Sequence, residues 1–190
     1  MDLHFIYQSI LIPWIIIGVI IFFTLLFVTA PYGRHSTKNW GPMISSRNGW
    51  IIQESISPIV FTYFFISGPS IKTSAMWIFF IIWVGHYFNR SVIYPLRQKN
   101  SNAMPILIML SAIFFNSVNG FINGYYMGTL VTHEYTNYLL NTNFIIGLGV
   151  FATGLIINLK SDNILLALKR QNKGYQIPRG FMFEYITSPN

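Results

Sequence analysis

The chain has 190 residues, a formal net charge of +7, and 9% charged against 53% hydrophobic residues. About a quarter of a soluble domain is charged, so these figures exclude a disordered chain, a nucleic-acid-binding domain and an ordinary soluble globule, as does the mean hydropathy of +0.48. The absence of cysteine excludes a disulfide framework, a thiolate metal site and a cysteine nucleophile.

Charge divides the chain into runs. Residues 5–33, 73–89, 100–133 and 135–159 carry no Asp, Glu, Lys or Arg, and Glu54 is the single charge between Arg47 and Lys72. A bilayer-spanning helix needs about 20 mostly apolar residues. The pattern therefore predicts an all-α, polytopic transmembrane helix bundle with five spans, roughly 7–30, 49–68, 74–95, 104–126 and 140–159, followed by a polar tail over 160–190. The first run is a span rather than a signal peptide, because no basic leader precedes it and it is too long for a signal core. Pro13 within it is a kink position. Eleven of the twelve Lys and Arg fall in 31–48, around the connection after span 3 and in the tail. The positive-inside rule then places the N-terminus outside and residues 160–190 in the cytosol.

Taken in chain order, Glu54 is the first chemical candidate. An ionisable group inside a span is costly, so it faces a cavity and works there, or it snorkels or pairs with Lys or Arg for helix packing; Arg47 lies seven residues before it. A protonated carboxyl in an apolar pocket can donate a hydrogen bond. In span 3, Tyr87, Arg90, Ser91 and Tyr94 recur at helical spacing and predict one polar face, turned to a cavity, to another helix or to the interface. In span 4, Asn116, Asn119 and Asn123 recur with Gly120 and Gly124. Small residues and amides in that pattern serve helix packing or ligand binding equally well. Gly147 to Ala152 has the shape G-x-G-x-x-A but lies inside an apolar span, which excludes a Rossmann turn and leaves small-residue packing. At the mouth of span 5, Asn158 and Asp162 stand one turn apart, followed by Lys169, Arg170 and Lys173, then Gly174 to Gly180. Such a segment suits an anionic, ribose-bearing cofactor or anionic lipid, and composition alone favours lipid. The four His residues show no metal-site or hydrolase spacing.

At these residues the chain resembles the steroid 5-alpha-reductase family, the 3-oxo-5-alpha-steroid 4-dehydrogenases. The likeness runs through Tyr32-Gly33-Arg34-His35, Trp50 with Gln53-Glu54, His86-Tyr87 with Arg90, Tyr94-Pro95 and Asn119-Gly120. It continues through Asn158 with Ser161-Asp162, Gly174 to Gly180, and Phe183 to Ile186. The resemblance implies a seven-helix membrane reductase using NADPH that enters from the cytosol. It implies that Glu54 and Tyr87 hold the 3-keto oxygen of the substrate, and that Asn158, Asp162, Tyr175 and Asn190 lie in the cofactor region, with Lys169 near a cofactor phosphate. Trp50, Arg90, Tyr94 and Asn119 are the candidate substrate-binding residues; no metal is expected. Lys160, Leu166 and Gln176 depart from residues common in the family. The chain stops at Asn190, where the family continues into two more helices, so the sequence is expected to be incomplete.

The expected function is reduction of the 4,5 double bond of a 3-oxo-4-ene steroid by hydride from NADPH. The alternatives are a related reductase of enoyl thioesters or polyprenols, and a non-catalytic membrane protein. The expected setting is a monomer in the endoplasmic reticulum or a bacterial inner membrane, with a lipid-soluble substrate, membrane lipid and no nucleic acid as partners.

Overall fold

The computed structural model describes residues 2–30, 35–98, 102–132, 135–171, 174 and 176–190. The expected all-α bundle is present. Its helices are α1 (Leu3–Leu25), α2 (Ser46–Ser67), α3 (Ser74–Phe88), α4 (Tyr94–Arg97), α5 (Ile106–Tyr125) and α6 (Thr142–Arg170). A π-helical turn, Asn89–Ile93, joins α3 to α4, and a second, Tyr126–Leu130, extends α5. By length and apolarity, α1, α2, α5 with its π turn, and α6 are each able to cross a membrane. The third expected span is helical from 74 to 97 but interrupted by the π turn, which leaves α3 with 15 residues.

Side-chain caps set several helix starts. Asp2 accepts from the His4 amide, Thr73 from Met76 and Asn141 from Asn143, each satisfying an amide left over in the first turn. The main difference from expectation lies at the other end of α6. The tail predicted from residue 160 begins as eleven further residues of helix, 160–170. Polar residues end an apolar span, but they do not end a helix whose backbone bonds continue.

α2 and α5 run parallel and form the centre of the bundle. Asn116 lies against Gln53, Gly120 against Ser57, Gly124 against Phe61 and Gly128 against Phe64. A Cβ on Gly120 would stand 2.8 Å from the Ser57 carbonyl oxygen, and one on Gly124 2.7 Å from that of Phe61. The small residues are what let the two backbones meet. α3 runs antiparallel to α2, with Trp77 and Phe80 against Phe65 and Trp83 stacked 4.8 Å from Phe61. Phe61, Phe65, Met76 and Val131 form the buried core of this packing. α6 runs parallel to α3, with contacts at Phe79–Phe144 and His86–Phe151. α1 crosses α5 through Tyr7–Tyr125 and Trp14–Phe115. No α1 residue is buried, although the helix is apolar all round, as suits a helix whose surroundings are lipid.

Both ends of the α2–α5 pair are tied. At one end, β1 (Met43–Ser45) pairs antiparallel with β2 (Ala103–Pro105), so the two chains enter their helices side by side. At the other, the Ser70 amide donates to the Gly128 carbonyl at 2.9 Å. Lys72 Nζ there donates to the carbonyls of Gly68, Ser70 and Gly128 at 2.5, 2.8 and 3.2 Å. Burial lowers the Lys72 pKa from its ordinary value.

The small-residue packing expected at Gly147 to Ala152 is not realised among the described residues. A Cβ on Gly147 or Gly149 would meet nothing within 4 Å.

Candidate functional site

Glu54 is buried on α2, 8% exposed. Its cation is Arg90, not Arg47: Arg90 Nε lies 3.4 Å from Glu54 Oε2, and Gln53 Nε2 donates to Oε1 at 3.4 Å. Arg47 instead donates to the Gln98 carbonyl. Trp50, one turn before Glu54, fixes the same arginine twice. Its indole N–H donates to the Arg90 carbonyl at 3.0 Å, and the guanidinium lies over its ring at 5.2 Å. Tyr94 stands against Trp50 with ring centroids 6.4 Å apart.

A π turn, Asn89–Ile93, runs through the segment that carries these side chains. The widened turn buries Ser91 (3% exposed) and shifts the residues that follow it around the axis. Arg90 and Tyr94 address α2, whereas Tyr87 addresses α5. There Asn119 Nδ2 donates to the Tyr87 hydroxyl oxygen at 3.3 Å. Trp83 packs beside Tyr87, with centroids 5.4 Å apart. The amides of α5 divide their work: Asn116 donates to the Gln53 carbonyl at 2.7 Å and holds two helices together, while Asn119 supports a candidate functional group.

A second cluster sits where α6 passes the end of α4. Asp162 is buried and accepts from Asn190 Nδ2 at 3.0 Å, so the far end of the chain returns to this helix. Asp162 lies within electrostatic reach of Arg90, Arg97 and Lys169. Arg97 donates to Asn163 Oδ1 at 2.5 Å. Lys169 and Arg170 occupy the last turn of α6. Arg90 is thus paired with Glu54 and lies within electrostatic reach of Asp162. The buried side-chain atoms Asn158 Oδ1, Ser161 Oγ and Gln176 Nε2 have no hydrogen-bond partner among the described residues. Asn158 and Ser161 lie within one turn of Asp162 on α6, and unsatisfied polar atoms beside a carboxylate fit a polar ligand with hydroxyl and amide groups. Tyr175, like Tyr32 to Arg34, lies outside the described residues.

Arg97, Asn163, Ser161 and Gln53 were not among the expected site residues. Gln53 was adjacent in sequence to Glu54, and Asn163 to Asp162, which was the available signal. A cavity of about 270 Å³ between α3 and α6, lined by Phe79, Tyr138, Asn143, Phe144 and Phe151 among others, contains none of the candidate residues.

Comparison with known proteins bears on this arrangement. The family described as 3-oxo-5-alpha-steroid 4-dehydrogenase matches residues 102–190. The chain is 33% identical to steroid 5-alpha-reductase DET2 of Gossypium hirsutum, covering 88% of the chain and 67% of the relative. It is 37% identical to the protein of the same name from Arabidopsis thaliana, covering 87% and 66%. It is 32% identical to 3-oxo-5-alpha-steroid 4-dehydrogenase 1 of Homo sapiens, covering 84% and 62%. The chain spans about two thirds of the length of these relatives.

Proposed function

The chain belongs to the steroid 5-alpha-reductase family, and from that premise we propose that it forms part of a membrane enzyme that reduces the 4,5 double bond of a 3-oxo-4-ene steroid with NADPH. The observation that carries this reading is the pair of clusters joined by Arg90. Arg90 pairs with a buried carboxyl on one side and lies within electrostatic reach of an anion-ready set of polar atoms on the other.

Asn158, Asp162, Lys169 and Asn190 hold the cofactor in this reading, with Ser161 and Gln176 completing the set. NADPH, when bound, supplies the hydride. The chain's own part is at the other end of the substrate. Hydride addition at the β carbon moves the C=C pair into a double bond between the α carbon and C3 and the carbonyl π pair onto the 3-oxo oxygen. Tyr87 donates its phenolic hydrogen to that oxygen where charge develops, and solvent supplies the proton of the α carbon. Glu54, held by Arg90 on Oε2 and by Gln53 on Oε1, orients the carbonyl end. Trp50 holds Arg90 through its indole N–H, with Tyr94 packed against it. The Arg47, Arg97 and Lys169 end of the bundle faces the cytosol in this scheme, following the distribution of cations.

The test is reduction of a 3-oxo-4-ene steroid, and consumption of NADPH, by membranes containing the full-length protein. Stoichiometric formation of the saturated 3-oxo product is expected. Turnover confined to enoyl thioesters or polyprenols, or no nucleotide binding, would contradict the proposal.

A further inference from the structure

Asn123 lies on α5 one turn beyond Asn119 and has no place in either cluster as described. Its Nδ2 donates to the backbone carbonyl of Asn119 at 2.9 Å and to Asn119 Oδ1 at 3.1 Å. The first bond settles the orientation of the Asn123 amide, since a backbone carbonyl only accepts. The NH2 group therefore faces Asn119, and the atom of the Asn119 side chain that meets it must be the oxygen. With its oxygen so engaged, Asn119 has only its NH2 group to present to Tyr87, at 3.3 Å. The phenolic oxygen becomes an acceptor toward α5, and its own hydrogen is left to point elsewhere.

The opposite orientation has a chemical consequence. If the Asn119 amide turned over, its oxygen would face Tyr87 and take the phenolic hydrogen for itself. We propose that Asn123 is a positioning residue, which through Asn119 keeps the Tyr87 O–H directed at the substrate oxygen. This rests on the reading of Tyr87 as the donor to that oxygen. It changes the expected role of Asn119 from substrate contact to support, and it gives the spacing of the two amides on α5 a reason beyond helix packing.

The experiment is a double-substitution cycle on the full-length protein, using Asn123→Ala and Tyr87→Phe separately and together. Rates are taken per mole of monodisperse protein. Asn123→Ala is expected to lower kcat about tenfold, as misdirection of a reacting group does, and to leave the KM for NADPH unchanged. In the Tyr87→Phe background it is expected to cost nothing further, because there is no phenolic hydrogen left to direct. Asn123→Gln, which keeps a donor, is expected to recover most of the rate, and it covers the case in which the alanine variant does not fold. Wild-type kcat in Asn123→Ala, or an equal loss in the Tyr87→Phe background, would overturn the relay while leaving Tyr87 in place. Full turnover in Tyr87→Phe alone would overturn the reading of Tyr87, and the relay with it.

Discussion

Asn116 on α5 donates its side-chain amide to the backbone carbonyl of Gln53 on α2 at 2.7 Å, with both residues buried. That bond fixes the register of the parallel pair on which both candidate clusters depend. It brings Asn119 level with the Glu54 turn, so that Tyr87 can reach it from α3. A hydrogen bond between membrane helices contributes about 0.6 to 1.7 kcal/mol, so it specifies alignment more than it supplies strength.

The close approach behind that bond is itself testable. Gly124→Ala puts a Cβ 2.7 Å from the Phe61 carbonyl oxygen, and backbone on both sides must move. A loss of about 1 to 3 kcal/mol is expected, read as a lowered Tm in detergent. Gly18→Ala on α1, where an added Cβ meets nothing within 4 Å, is expected to hold or raise Tm, since alanine favours a helix over glycine by about 1 kcal/mol.

The Arg90–Glu54 pair predicts a split between stability and rate. Arg90→Gln leaves a mostly buried carboxylate without its cation and is expected to destabilise by about 1 to 3 kcal/mol, less than a fully buried pair would lose. Adding Glu54→Gln removes the unpaired charge and is expected to restore Tm but not turnover. Thermal melts and steady-state rates on the same preparations check this. Recovery of both together would assign the pair to packing alone.

Much of this architecture was legible in the sequence. The gaps between charges located all five helical runs, because an apolar stretch of that length has few other places to go. The Asn116, Gly120, Gly124 period marked the α2–α5 seam, and the structure divides its two possible uses residue by residue. Three features were not legible. The π turn at Asn89–Ile93 leaves no trace in a 3.6-residue period. The extension of α6 to Arg170 was hidden because hydropathy reports where a membrane ends, not where a helix does. The cation for Glu54 came from 36 residues away rather than from nearby Arg47, and pairing across helices is fixed only by their packing.

The polar cluster on α6 predicts effects confined to the cofactor. Asp162→Ala removes the acceptor of Asn190 Nδ2, and Asn158→Ala removes a buried oxygen that has no partner among the described residues. Each is expected to raise the dissociation constant for NADPH about 10- to 100-fold, equivalent to about 1 to 3 kcal/mol, with little change in the affinity for steroid. Titration of nucleotide fluorescence measures the first quantity and equilibrium dialysis of labelled steroid the second.

The central claim is that Glu54 and Tyr87 act on the substrate's 3-oxo oxygen rather than merely joining helices. The measurement that tests it most directly is single-turnover reduction of a 3-oxo-4-ene steroid by full-length Tyr87→Phe and Glu54→Gln variants, each saturated with NADPH and matched to wild type in Tm. The account predicts a rate constant for the chemical step lowered about 100-fold or more in each, the scale of a lost oxyanion donor. Wild-type rate constants in both variants, or losses that track Tm, would contradict it.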